Sequence, residues 1–195
     1  MSDKFNLPTE VIELPSKGLL YPEGHALAEG KIEIKYMTAK EEDILTNQNY
    51  IKNGTVIDKL LQSLIITKFN YNDLLIGDKN AIMISARILA YGSKYEITYA
   101  GLEQEVDLTT LENKPIDESL YKRNENEFAF TLPHTGNEIT FKILTGEDER
   151  KIEAELKSLK KISKTASSEV SVRLYRTLTS INGSTEKKDI KEFTA

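Results

Sequence analysis

The sequence predicts a mixed α+β protein: two strand–helix repeats with β-hairpins around a central buried helix, then a helical C-terminal part. Three observations lead there. The block Ile32-Glu33-Ile34-Lys35-Tyr36-Met37-Thr38-Ala39-Lys40-Glu41-Glu42-Asp43 nearly returns as Ile139-Thr140-Phe141-Lys142-Ile143-Leu144-Thr145-Gly146-Glu147-Asp148-Glu149-Arg150. In each copy alternating apolar residues read as a strand, and a threonine with an acidic stretch reads as the start of a helix. Between the copies, the stretch from Asp78 to Tyr91 is apolar almost all round, as a buried helix would be. Turn signals at Gly101 and over Pro133-His134-Thr135-Gly136-Asn137 split short alternating runs into two hairpins.

Taken in order, residues 1–30 read as an extended arm. Pro8, Pro15 and Pro22 disfavour helix, while Gly18, Gly24 and Gly30 mark turns. The stretch from Val11 to Pro22 is too apolar for a free linker. It either lies on its own domain or docks on a partner, and the docking expectation rests on Leu14, Pro15, Lys17, Leu19, Leu20, Tyr21 and Pro22.

After the first repeat strand, Thr38 with Glu41 forms a capping box: the hydroxyl takes the N3 amide and the carboxylate reaches back to the cap amide. The helix should run from Ala39 to Tyr50 and end near Asn53-Gly54. Thr55 with Asp58 opens a second helix whose stripe is Val56, Ile57, Leu60, Leu61, Leu64 and Ile65. Asn70 to Asp73 is a break, and Asp78 is expected to cap the third helix, which Gly92 closes. Arg87 interrupts that helix and, if buried, needs a carboxylate or carbonyl partner.

A hairpin follows from Lys94 to Leu108. A polar connection from Leu111 to Asn126 carries an apolar knot at Leu120 and Tyr121. Glu127 to Leu132 and Glu138 to Leu144 form the second hairpin, and Thr145 with Asp148 repeats the cap with a shorter acid. Helices are expected from Glu147 to Ile162 and, capped by Ser167 or Ser168, along a stripe from Val170 through Leu174, Tyr175 and Leu178 to Ile181. A last helix from Ser184 or Thr185 stops barely two turns in, which suggests a truncated chain or one that docks elsewhere. The expected organisation is an arm (1–30), an α+β core with hairpins (31–146) and a C-terminal helical region (147–195) packed on the core.

Composition narrows the function classes. The chain has 195 residues, 26 Lys+Arg against 31 Asp+Glu, a net charge of −5 and no cysteine. Disulfides and thiolate metal sites are excluded. The charge argues against a general nucleic-acid binder. No apolar run approaches the roughly 20 residues that span a bilayer, and the first six residues lack a signal core, so a cytoplasmic protein without a membrane partner is expected.

Enzyme signals are poor. His25 and His134 both fall in loops, and neither belongs to a metal-ligand pair. No nucleophile elbow, phosphate loop or paired-histidine motif is present. The clusters Glu41-Glu42-Asp43 and Glu147-Asp148-Glu149 could be imagined as metal sites of a hydrolase, but helix capping accounts for them. The expectation is therefore no enzyme, no cofactor, no metal and no small-molecule substrate. Thr38, Glu41, Asp78, Arg87, Gly92, Thr145 and Asp148 are structural candidates. The lysines from Lys157 to Lys164 support one competing reading, a nucleic-acid-binding regulator, although they also suit the negative end of the helix dipole.

Several motifs, in order, resemble one family: Leu14-Pro15-Ser16-Lys17-Gly18 with Tyr21-Pro22; Met37-Thr38-Ala39-Lys40-Glu41-Glu42 after a strand; Leu74-Leu75 with Gly77-Asp78; and Arg87-Ile88 with Tyr91-Gly92. Together they look like the baseplate hub assembly proteins of T-even-type tailed bacteriophages, across most of the chain. Order and spacing carry the likeness, not any one motif. It implies a structural or chaperone-like protein that contacts other baseplate hub proteins, located in the host cytoplasm during assembly or in the virion tail baseplate. Many sequences associated with the family carry paired cysteines in the hairpin after the Tyr-Gly motif or in a tail; here the hairpin reads Tyr99-Ala100-Gly101-Leu102, so a zinc-stapled element is absent from it.

Overall fold

Strand β1 (Thr9–Glu13) pairs antiparallel with β2 (Lys31–Lys35), from Thr9 opposite Lys35 to Glu13 opposite Lys31. This is the start of a mixed α+β fold with seven helices and three small antiparallel sheets among the described residues. The computed structural model describes residues 7–162 and 169–194. The chain divides into two units, Met1–Phe69 with Gly77–Asn124, and Asn70–Ile76 with Glu125–Ala195. These are not the divisions at 30/31 and 146/147 expected from sequence. The reason is pairing: β1 lies before residue 30 but needs β2, and the second repeat strand finds its partner near the C-terminus.

In the first unit, residues 14–30 close on themselves between β1 and β2. The Leu14 amide donates to the Gly30 carbonyl at 2.8 Å, and tight turns serve Lys17, Leu19, Ala28 and Gly30. With its backbone polar groups satisfied, such a segment can be buried without regular structure. Leu14, Leu19, Leu20, Tyr21 and Leu27 are all core. Two glycines make the closure possible: Gly18 and Gly30 have φ of +75° and +72°, and a Cβ on Gly18 would lie 2.3 Å from the Ala28 carbonyl oxygen.

Three helices follow. α1 (Ala39–Leu45) and α2 (Gln48–Asn53) replace the single helix expected from Ala39 to Tyr50. The break is Asn47, whose side-chain oxygen accepts from the amides of Asn49 and Tyr50 at 3.0 and 3.2 Å and so starts a new helix. α3 (Val56–Leu64) turns Leu60, Leu61 and Leu64 inward. Its exit pairs with β2: Ile65 bridges Ile34, and the Ile66 amide donates to the Glu33 carbonyl at 2.9 Å.

α4 (Ile76–Tyr91) corrects two expectations. It begins before Asp78, so Asp78 lies inside the first turn and is not the cap. It is also not buried all round: Asp78, Ile82 and Ala86, spaced i, i+4, i+8, form one buried stripe, while Met83 and Tyr91 are exposed. The hairpin of β3 (Lys94–Tyr99) and β4 (Leu102–Asp107) turns at Ala100 and Gly101, with φ of 53° and 80°, the positive pair that two-residue hairpins use. The connection beyond returns to the 14–30 loop, where the Asn124 amide donates to the Leu19 carbonyl at 2.7 Å. Leu120, expected in an apolar knot, is exposed.

The second unit is built on a three-stranded sheet in the order β5 (Phe128–Thr131), β6 (Glu138–Phe141), β7 (Leu178–Ile181). Helices α5 (Gly146–Ile162), α6 (Glu169–Thr177) and α7 (Lys187–Phe193) complete it. Leu178 and Ile181, read from sequence as the end of a helical stripe, are strand residues. The strand wins because β6 offers an unpaired edge: Ile139 faces Ile181 and Phe141 faces Leu178. The 74–76 segment braces the second repeat, with Leu75 bridging Thr145 and the Gly146 amide donating to the Leu74 carbonyl at 2.9 Å. Leu74, Leu75, Ile152, Val172, Ile181 and Ile190 are buried here. The caps expected at Ser167 or Ser168 lie outside the described residues.

Candidate functional site

Among the described residues three carboxylates are buried: Glu41 at 0% exposure, Asp78 at 1% and Asp148 at 6%. A buried carboxylate is tolerated only with hydrogen bonds or a cation. Glu41 has both. The Thr38 amide and hydroxyl donate to its Oε2 at 3.0 and 2.6 Å, closing the capping box, while Lys35 Nζ and Ser63 Oγ reach Oε1 at 2.8 and 2.6 Å. Burial pushes its pKa up, but the bonds from Lys35, Ser63 and Thr38 outweigh burial and hold it at about 2. The node ties β2, α1 and α3 together through one side chain.

Asp148 does the same in the second unit. Lys142 Nζ lies 2.6 Å from its Oδ1, and the Thr145 amide and hydroxyl donate to Oδ2 at 3.1 and 3.0 Å. The Asp148 amide returns a bond to the Thr145 hydroxyl at 3.4 Å. Burial again raises the pKa, and Lys142 with Thr145 brings it below the usual value.

Asp78 works differently. It accepts from the Ser16 amide (3.0 Å), the Ser16 hydroxyl (2.7 Å) and the Tyr21 hydroxyl (2.7 Å), and so fastens the 14–30 loop to α4. His25 belongs to the same loop. Its ring stacks on Tyr21 with centroids 4.9 Å apart and meets Phe69 edge-on, and its Nδ1 accepts from the Leu27 amide at 3.2 Å.

These nodes position a groove in the first unit. Its walls are Met37 and Leu45 around α1, Ile57, Leu60 and Leu61 of α3, and Met83, Ile84 and Ala86 of α4, enclosing a volume of about 430 Å³. Arg87, Tyr91, Tyr95 and Leu108 complete the lining. Arg87 stacks over the Tyr91 and Tyr95 rings at 4.8 and 5.4 Å from their centroids and donates to the Gly92 carbonyl at 3.1 Å. The Tyr91 hydroxyl donates to Glu42 Oε1 at 2.6 Å, a bond that raises the tyrosine pKa. Next to this groove the hairpin stays bare: Tyr95, Tyr99 and Leu102 are exposed, Tyr99 at 72%.

The residues expected to dock a partner are elsewhere. Leu14, Leu19, Leu20 and Tyr21 are core, and Pro15 is half-buried. Lys17 and Pro22 are exposed, with Lys17 Nζ 2.8 Å from Glu118. None of the seven lines the groove. The apolar side chains of this stretch pack into the first unit's own interior, the alternative in which the arm lies on its own domain. The acidic clusters do not converge either. Glu41 faces Lys35, Glu42 faces Tyr91, Glu147 pairs with Arg150 and Lys151, Asp148 with Lys142 and Glu149 with Arg173. Among the described residues, no group of three His, Asp or Glu is placed to hold a metal ion, and no helix is long and apolar enough to cross a membrane. Of the lysine cluster, Lys157 lies 3.9 Å from Glu153, and Lys164 falls outside the described residues.

Sequence reasoning missed the groove. A signal was present: α4 carries apolar residues on more faces than one neighbour can cover, and the surplus at Met83 and Ile84 marks a second apolar face. Comparison with known proteins adds no relative; no protein-family model, curated protein or solved structure matches this chain.

Proposed function

We propose that this chain is an assembly factor or structural component of the baseplate hub in a contractile-tailed bacteriophage, working through protein–protein contacts in the host cytoplasm and not as a catalyst. The observation that carries the reading is the first unit's apolar groove beside a bare tyrosine-bearing hairpin. Apolar surface of this kind on a small protein suits a partner. A second point supports the resemblance. Ser16 and Tyr21 of one family-like motif stand 62 and 57 positions from Asp78 of another yet meet at its carboxylate, so the two motifs act as one folding unit.

The test is mass spectrometry of purified phage particles beside a tagged pull-down from infected cells. Hub proteins in the pull-down are the expected result. Presence in the particle as well marks a built-in part, and absence from it marks a chaperone that leaves. A pull-down without hub proteins and a particle without this chain would overturn the reading.

A further inference from the structure

The groove offers more than apolar walls. Arg150, Arg173 and Arg176 each hold a carboxylate, from Glu147, Glu149 and Glu155. Arg87 does not. Among the described residues its one hydrogen bond goes to the Gly92 carbonyl at 3.1 Å, and its guanidinium carbon lies over the Tyr91 and Tyr95 rings, 4.8 and 5.4 Å from their centroids. A guanidinium has five N–H donors, so this one keeps a fork free for a carboxylate. The neighbouring acid, Glu42, is turned to the Tyr91 hydroxyl instead. Helix α4 therefore presents a fixed, half-buried cation at the edge of an apolar groove.

We propose that the groove takes a short amphipathic helix of a partner protein, with large aliphatic side chains on the inserted face and one carboxylate that pairs with Arg87. The inference rests on the reading of the chain as an assembly protein and supplies the chemistry of its contact. Three features select this occupant. The volume of about 430 Å³ lies within the roughly 300–1,000 Å³ of ordinary binding clefts. Much of the wall comes from α1, α3 and α4, and side-chain ridges of helices receive the ridges of another helix. The unpaired guanidinium supplies the charge that an acidic side chain complements, and its two aromatic neighbours hold it in position, so less freedom is lost on pairing.

The test uses the full chain and two fluorescein-labelled helical peptides with leucines at i, i+3, i+4 and i+7. One carries a glutamate beside the leucine stripe and the other a glutamine. Fluorescence anisotropy should show the glutamate peptide binding about fivefold more tightly, the worth of one partly screened ion pair. Arg87→Met should erase that preference, and Arg87→Lys should keep part of it. Met83→Glu, placed on an exposed groove position, should weaken both peptides at least tenfold while the melting temperature holds. Equal binding of the two peptides, no binding of either, or full binding by Met83→Glu would each overturn the proposal. So would self-association of the wild type in sedimentation that Met83→Glu abolishes, because a second copy would then fill the groove. A pull-down with Met83→Glu separates the two levels. If it still captures hub proteins, the assembly reading stands and the groove falls. If even the wild type captures none while the glutamate preference holds, the groove stands and its assignment to the hub falls.

Discussion

The two units answer one structural problem with the same device at different strengths. Each has a lysine at or just past the end of a strand, a threonine three residues later and an acid three further on: Lys35, Thr38 and Glu41 in one, Lys142, Thr145 and Asp148 in the other. In each the acid is buried, accepts from the threonine amide and hydroxyl, and meets the lysine. The difference lies in what else arrives. Glu41 reaches one methylene further and gains the Ser63 hydroxyl from α3, so its node spans three elements. Asp148 is shorter, keeps slight exposure and has no fourth donor among its described bonds. A second contrast is the 14–30 loop, which the first unit fastens with Asp78 and closes with backbone contact at Gly18. A repeated motif can thus be a local folding unit, while the donors recruited from elsewhere decide how much each copy contributes.

The largest expected effect tests the loop. Replacing Leu19, Leu20 and Tyr21 together by Ser removes three buried side chains, each worth about 2–5 kcal/mol, so the first unit should lose its native structure. Hydrogen exchange read peptide by peptide would show it, and retained protection across residues 9–35 would mean the loop is dispensable. Next comes Gly18→Ala. A positive φ and a Cβ 2.3 Å from the Ala28 carbonyl oxygen should together cost about 4 kcal/mol, measured by urea unfolding.

The third prediction sets the nodes against each other. Glu41→Gln should cost about 3 kcal/mol, since it strands Lys35 beside a buried amide, and Asp148→Asn about 1–2 kcal/mol. Equal costs would mean that the Ser63 donor adds nothing to the Glu41 node. The pH dependence follows from the same geometry. Glu41 is held at about 2, against an ordinary 4.5. The unfolded chain therefore takes up the proton first as pH falls, and the node's contribution is complete above 4.5 and drains away toward 2. In Glu41→Gln the acid-side slope of stability should flatten over that window. The smallest effect is Ser63→Ala, which removes the donor that Asp148 lacks. It should cost about 1 kcal/mol and bring the acid response of Glu41 closer to that of Asp148, as NMR titration of the carboxyl carbons would report.

Much of the element pattern was readable. The 56–64 helix, the 94–107 hairpin, the repeat strands and both threonine–acid caps follow from local chemistry, because alternation, capping and turn residues act within a few positions. The differences have two causes, one local and one long-range. Asn47 broke a helix that periodicity would continue, because its side chain competes for backbone amides. Leu178 and Ile181 sit at helical spacing, yet the open edge of β6 drew them into a strand. The apolar arm left two readings open, its own domain or a partner, because its contacts, Asp78 and the Gly18–Ala28 approach, are distant in sequence or turn on backbone geometry that no side-chain pattern encodes.

By itself the sequence determined the α+β class, the duplicated cap, the lack of thiol chemistry and the acidic balance, all set by residue type and short-range spacing. Only the tertiary structure decided that Asp78 binds the arm instead of capping a helix, that the second repeat strand belongs with the C-terminal helices, and that Arg87 stands over two tyrosine rings at the edge of an apolar groove. Those outcomes depend on which long-range donors and edges reach a given group first. A buried carboxylate or an open strand edge must be satisfied, but the sequence does not say by whom.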